Sequence, residues 1–529
     1  LRLKGALWTV FATFVSEGKG WRMGKQTKRR IALVAGTAAA AAIAIACIVW
    51  RSHDSGAEGG GGEDGNKEKI SIVTTSLGMT FPSGMNENKN PYLAYIEKMT
   101  NLDIDVFLPS SESYEEKLNI IMTSSNLPDM LYTGNDVWLA NYVKQGKLRP
   151  LDDEIAKYGP ALKDKIPQEA WNKVTFNGHI YAIPSLNEVK GIELMYARKD
   201  WLDRLGLKPP QTLDEYAQVI RAFATQDPDG NGKPDTIGLL MTENLGRSAP
   251  FFGAFGTQLN VWLERDGKLA FSNTLPETKQ ALAFLHQLYG EGLIDPEFPL
   301  NRVQNLYFDK IVSGQVGLFS ATWYDTRGPI DQNKQKDPNA QWIPLEYPTG
   351  AQGKQGVYAV NRVRGYSVVP VGSPNAANVV KLLNFIAGVG HRDLKLGFEN
   401  QVWTMQDGKM VTNFTEHNKH LYRGIYSALA DVVEPDMDKM RWDSIGEQFH
   451  LYDNLQRIES HLIANRFTGL PTTSMGKYMP KLTASMQDVF IQMIVGVTPL
   501  DQFEQYVARW RQEGLDAITQ EVNEWFERG

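Results

Sequence analysis

The chain has 529 residues, 42% of them hydrophobic and 10% aromatic, with a formal charge of −6. Residues 1–50 hold eight Lys/Arg and one acidic side chain, so the remainder carries −13, which argues against a nucleic-acid partner and against adhesion to anionic headgroups. A single cysteine, Cys47, excludes a disulfide framework, and the length calls for at least two domains held by their own cores.

Leu1 to Arg22 reads as translated upstream sequence, because Met23 opens a compact basic segment of conventional form. Lys25, Lys28, Arg29 and Arg30 then precede Ile31–Trp50, in which only Thr37 is polar. As a helix this run spans about 30 Å, enough for a bilayer core. Positive charge followed by an apolar run makes residues 23–50 an export signal, a membrane anchor, or both. Ala44-Ile45-Ala46-Cys47 resembles a bacterial lipobox, with Ala44 where Leu is usual. Two outcomes stay open: cleavage before Cys47 with lipid on its sulfur, or an uncleaved helix. Either one sets the protein at the outer face of a membrane. A Gly/Glu/Asp-rich tether, residues 51–68, follows.

Ile70–Thr74 reads as a first buried strand, Tyr92–Met99 as a helix, Leu102–Leu108 as a strand and Tyr114–Met122 as a helix. That alternation predicts an α/β fold around a parallel sheet. Leu127-Pro128-Asp129-Met130-Leu131-Tyr132 is a further strand ending in a loop, where open α/β sheets place ligands. Asn177-Gly178 predicts a tight turn before a strand closed by Pro184. Glu193–Tyr196 is a strand candidate, and residues 199–207 form a short helix closed by Gly206. Thr212-Leu213-Asp214-Glu215 fits a capping box opening the next helix. Later come a helix from Pro276 to Tyr289, strands at Val316–Phe319 and Tyr366–Pro370, and a helix at Ala376–Ile386. Little strand pattern follows residue 375. Phe503, Tyr506, Val507 and Trp510 form one helical face, and Leu515, Ile518, Val522 and Trp525 a second after Gly514.

The sharpest chemical motif runs from Asp227 to Asp235. Asp227, Asp229, Asn231 and Asp235 put oxygens at positions 1, 3, 5 and 9 of a loop, with Gly232 at 6 and the Lys233 carbonyl at 7. Those spacings suit a calcium ion taking six to eight oxygens. Position 12 is Gly238 instead of a bidentate Glu, so another carboxylate must complete the shell. A structural staple is the role expected of this Ca2+.

No HExxH, CxxC, GxSxG or phosphate loop occurs, and no GxGxxG opens a helix. A glycoside hydrolase with two carboxylates remains an alternative, but no acidic pair stands apart from ordinary surface, so the expectation is a protein that is not an enzyme. Aromatic residues in polar loops stand out instead: Trp138, Trp171, Trp262, the Trp323-Tyr324-Asp325 string, and Trp403 after Asn400. A sugar's C–H face packs on such rings while its hydroxyls need oriented donors and acceptors. Arg198, Arg362 and Arg364 lie near strand ends and are candidates to read a uronate carboxylate.

From about Lys69 onward several strings occur in one family order: Leu127-Pro128-Asp129, Gly178-His179-Ile180-Tyr181-Ala182-Ile183-Pro184, Arg198-Lys199-Asp200-Trp201-Leu202-Asp203, the residue 227–238 loop and Ser313-Gly314-Gln315-Val316-Gly317. The chain thereby resembles the family 1 extracellular solute-binding proteins of Gram-positive ABC importers, in its long LplA/YtcQ-like lipoprotein branch, and is similar to alginate-oligosaccharide-binding proteins of the same size. The resemblance implies two α/β lobes around a ligand cleft with a hinge. It assigns residues 69–188 and 353–430 to lobe 1, and 189–352 and 431–529 to lobe 2. It implies capture of an oligosaccharide, including one from a uronate-bearing polysaccharide, by a monomer that delivers it to ABC permease subunits. A surface adhesion or sensing module and a peptide-binding protein are the alternatives. Leu396-Gly397-Phe398-Glu399-Asn400-Gln401 departs from the family's Gly-x-Glu-Gly, which points to a cleft wall shaped for a different sugar.

Overall fold

The strands that build the molecule are β1 (Glu68–Val73), β2 (Leu102–Phe107), β3 (Met130–Thr133), β4 (Ala182–Leu186), β5 (Glu193–Arg198), β6 (Leu318–Thr322), β7 (Trp342–Pro344) and β8 (Val363–Val368). This computed structural model describes residues 67–300, 304–322, 324–446 and 450–528. The upstream segment, the signal or anchor, Cys47 and the tether as far as Asn66 lie outside the described residues, as does Trp323.

In the first sheet β1 runs parallel to β2 and β3, pairing Ile72 with Val106 and Val73 with Leu131. Parallel neighbours need a long return, and the helix Pro91–Thr100 supplies it between β1 and β2. Asn90 starts that helix by accepting from the N–H groups of Tyr92 and Leu93, with Pro91 in the first turn. Asp129 ties the inner strands of the sheet together. One carboxylate oxygen takes the Ser71 N–H at 2.8 Å, and the other takes the Ser373 hydroxyl at 2.7 Å.

The expected all-parallel sheet is corrected: β8 is antiparallel to both β3 and β4, giving the order β2-β1-β3-β8-β4. Between β3 and β4 the chain makes four helices and a hairpin in place of one crossover helix. That connection leaves β3 and β4 running in one direction; β8 is the reversed strand, and the chain reaches it only after passing through the other half of the molecule. A second sheet, β6-β5-β7, is antiparallel throughout. The capping box on the helix Leu213–Thr225 is present, Thr212 accepting from the Glu215 N–H and the Glu215 carboxylate from the Thr212 N–H.

Buried apolar side chains fall into two large cores. One gathers Ile70 to Leu186 and Val363 to Val432. The other gathers Val189 to Val357 and Trp442 to Val522. The chain passes between them three times, and the passages are bonded side by side. Asn187 N–H donates to Arg362 O (2.9 Å), Val360 N–H to Lys190 O (2.8 Å) and Leu186 N–H to Asp431 O (2.8 Å). Three backbone passages bonded side by side between two cores are where a hinge would lie.

Two further hairpins, Trp262–Arg265 with Lys268–Phe271 and Trp403–Gln406 with Lys409–Thr412, were not anticipated. Each turns on Asp-Gly with both residues at positive φ, the two-residue geometry that glycine and aspartate favour.

Candidate functional site

Cavities of about 270, 360 and 630 Å3 lie along the junction of the two cores, each walled by residues of both. Met79, Arg364 and Gly424 face Tyr324, Ile445 and Leu451 in the first. Asp136 and Val137, at the start of a helix capped by Asn135, face Trp262, Phe467 and Met475 in the second. The third sits over the hinge residues 359–362, between Lys173 and Trp525.

A buried polar network sets the loop after β6. Asp325 Oδ2 is 2.7 Å from Arg247 Nη1 and accepts the Thr322 N–H at 2.8 Å. Arg247 also donates to the Tyr307 hydroxyl at 3.2 Å, and the Ser320 hydroxyl donates to Glu193 at 2.8 Å. Burial pushes the Glu193 carboxyl up, against the pull of Arg247. Pinned this way, the loop holds Tyr324 out at 45% exposure in the cleft wall.

Beside the hinge lies a knot of ion pairs. Glu188, on the first passage, accepts from Lys395 of the first lobe at 2.7 Å and from Arg441 beyond the third passage at 2.6 Å. Lys395 also bonds Asp431 at 2.7 Å, and Arg364 stands 3.6 Å from the same carboxylate. Burial opposes ionisation of Glu188, but Arg441 and Lys395 outweigh it and hold the carboxyl far below its usual range. Burial pushes Asp438 up to about 6 although Lys395 and Arg441 pull it down.

Of the residues named from sequence, Tyr324 and Arg364 line the cleft. Trp403 does not: it is 1% exposed, packed with Leu396, Val402 and Met410, and its indole N–H donates to Gly397 O at 2.7 Å. Trp138 and Trp171 are buried in the first core, Trp138 donating to Asn119 at 2.9 Å. Trp262 is buried in the second core and lines the 360 Å3 cavity. Trp403, Trp138 and Trp171 are corrected from sugar platforms to packing residues, being buried in the cores and absent from the cavity walls along the hinge. Arg198 is corrected as well. It is buried against Asp200 at 2.6 Å, with its guanidinium over the Trp201 ring. Asp325 is the buried anchor of the loop and has no face in the cleft wall. Asn400 is an exposed turn residue at φ 64°. Sequence reasoning missed Arg327, Lys395, Arg423 and Arg441, which line the 270 Å3 cavity. All four sit on helices or their ends, where a lone basic residue reads as solvated surface.

In the Asp227–Asp235 loop, Gly230 and Gly232 take the positive φ the sharp turn needs. Asp227 accepts the N–H groups of Asn231 and Gly232 at 3.1 and 3.0 Å, and the Asn231 amide donates to Asp229 and Asp235 at 2.6 and 3.1 Å. Two carboxylates thus converge on the Asn231 side-chain amide and a third takes the backbone N–H groups beside it, an oxygen set suited to a hard cation. Among the described residues no three His, Cys, Asp or Glu are already arranged as metal ligands, so an ion here needs the Asn231 amide turned oxygen-inward.

His417, in the wall of the 270 Å3 cavity, is pushed down to about 3 by burial and then by Arg423, Arg327 and Arg441. A histidine depressed in the folded state binds its proton mainly in the unfolded one. The stability tied to it is complete above about pH 6.5 and drains as pH falls toward 3. Between pH 7 and 5 this one group should remove about 2 kcal/mol. Denaturant unfolding should therefore show His417→Gln losing that much less than wild type over the same interval. Parallel losses would contradict it.

The sequence profile of the bacterial extracellular solute-binding proteins matches residues 84–391. Lipoprotein LipO of Bacillus subtilis (strain 168) is 26% identical over 488 residues, 88% of this chain and 93% of its own. The polygalacturonan/rhamnogalacturonan-binding protein YtcQ of the same organism is 26% identical over 498 residues, 90% of this chain and 95% of its own. The crystal structure of the alginate-binding protein AlgQ2 without calcium ion superposes with a TM-score of 0.71 at 18% identity, covering 87% of this chain and 98% of that one. That likeness establishes the fold, two α/β lobes closing on a cleft. With the profile covering more than half of its length, the chain belongs to the bacterial extracellular solute-binding proteins.

Proposed function

We propose that this protein captures an oligosaccharide between its lobes and delivers it, unconverted, to the permease subunits of an ABC importer. The observation that carries the reading is that three cavities along the hinge are walled from both cores, so a ligand there is gripped by two bodies joined through three backbone passages. Polysaccharide ligands named for YtcQ and AlgQ2, both similar along most of the chain, support the sugar class. Half-exposed Tyr324 offers a ring face, and the surrounding cations and carboxylates offer partners for hydroxyls. A thermal-shift screen with short oligosaccharides of plant and bacterial polysaccharides tests it. A bound sugar raises Tm by mass action, and it should be recovered intact. No shift with any of them, or turnover that survives repurification, would overturn the reading.

Attachment at the outer face of the membrane fits the basic and apolar run before Cys47 and the lipoprotein relative LipO. Among the described residues no helix is long and apolar enough to cross a membrane, so attachment rests on residues 23–50.

The Asp227–Asp235 loop is read as a calcium staple, with Asp227, Asp229, Asn231, Asp235 and the Lys233 carbonyl as ligands. Asp229→Ala should lower Tm by several degrees in calcium and abolish its response to chelator, because the ion stabilises only the folded state. Sugar affinity should not change, since the loop lies away from the cleft residues. An absence of calcium from the purified protein, with no chelator effect on wild type, would rule the staple out.

A further inference from the structure

The wall of the 270 Å3 cavity at the hinge carries five cationic side chains, Arg327, Arg364, Lys395, Arg423 and Arg441, against two carboxylates, Glu188 and Asp431. Asp438, close behind, adds a third. The knot accounts for Lys395 and Arg441, and Arg364 leans on Asp431. Two cations are left over. Arg423 is buried at 5% exposure, and its bonds go to Lys395 O, His420 O and the His417 ring, none of them an anion. Three of its five N–H groups are used, and burial lowers it to about 10. Arg327 lies across the cleft with no carboxylate within 4 Å among the described residues, Asp331 acting on it only at longer range, and its guanidinium is 4.4 Å over the Phe414 ring. Both stand close enough to His417 to help hold its ring neutral, so they share one region of the cavity. In the same wall Asp431 Oδ1 and Arg441 Nε are buried without a hydrogen-bond partner.

A buried cation without a counter-charge is unfavourable, and planar guanidinium forks match a carboxylate. Neighbouring unpartnered acceptor and donor atoms suit hydroxyl groups. We infer that this cavity is the subsite that reads an acidic sugar: Arg327 and Arg423, one from each side of the cleft, bind its carboxylate, and Asp431 and Arg441 bind its hydroxyls. Because Arg327 comes from the second lobe and Arg423 from the first, the ligand's charge is also what draws the lobes together. The inference rests on the oligosaccharide reading and adds the chemical class and the end of the cleft where the charge sits.

The experiment is calorimetric titration of the full chain with galacturonide and mannuronide trimers and with the methyl ester of each, which keeps shape and removes charge. At least one acid should bind tenfold or more tighter than its ester. Arg327→Gln, half-exposed and outside the knot, should reduce that ratio to near one while Tm holds. Arg423→Lys, which keeps the charge but not the fork, covers the chance that a neutral replacement at the buried site fails to fold, and should weaken the acid alone. Raising salt should weaken the acid and not the ester. Equal binding of acid and ester, or a ratio unchanged in Arg327→Gln, would overturn the inference while leaving sugar capture standing. Failure of every trimer while another oligosaccharide gives a thermal shift would overturn the inference alone, and the absence of any binding sugar would overturn both.

Discussion

Glu188→Ala is expected to cost about 3–5 kcal/mol of stability in denaturant unfolding, because it leaves Lys395 and Arg441 buried without their shared partner. The loss should also change how the molecule comes apart. Glu188 joins a lobe 1 helix to the segment after the third passage, so without it the two lobes should unfold less cooperatively. Glu188→Gln keeps the shape but not the charge and should recover only part of the loss. A change below about 1 kcal/mol in the alanine variant would mean that the knot is solvated and holds nothing.

Trp403→Ala should cost about 3–5 kcal/mol as well, through cavity formation and loss of the indole bond to Gly397 O. Ligand affinity measured on the folded fraction should be unchanged, since the ring faces Leu396, Val402 and Met410 and not the cleft. Weakened sugar binding with intact stability would return Trp403 to the ligand.

The contrast between these residues and their sequence context shows what was legible. The helix start at Thr212 was, because its chemistry is local: Thr212 and Glu215 bond within four residues, whereas the equally local cap of Asn135 on the helix Asp136–Lys144 reads in sequence as a loop. The turn at Asn177-Gly178 was legible for the same reason, and the Asp266-Gly267 and Asp407-Gly408 hairpins carry an equal signal that deserved the same reading. Strand direction was not, since β8 is paired to β3 and β4 by a chain that leaves the lobe and returns. The tryptophans were misjudged because polar neighbours in sequence need not be neighbours in space. Trp403 follows Asn400 and Gln401, yet the turn directs those two to solvent and the ring inward. Burial is a property of the tertiary fold, and a core anchor can stand two residues beyond an exposed turn. The hinge cations were out of reach for a related reason. Arg327, Lys395, Arg423 and Arg441 are scattered over more than a hundred residues, and only closure of three passages side by side gathers them.

Capture of a sugar between the lobes is tested most directly by calorimetric titration of wild type and Tyr324→Ala with the oligosaccharide that gives the largest thermal shift. Saturable binding of one ligand per chain is predicted, weakened by on the order of tenfold or more when the ring is removed, with Tm nearly unchanged because Tyr324 is half-exposed. Binding that is absent in wild type, or equally tight in the two proteins, would contradict the account.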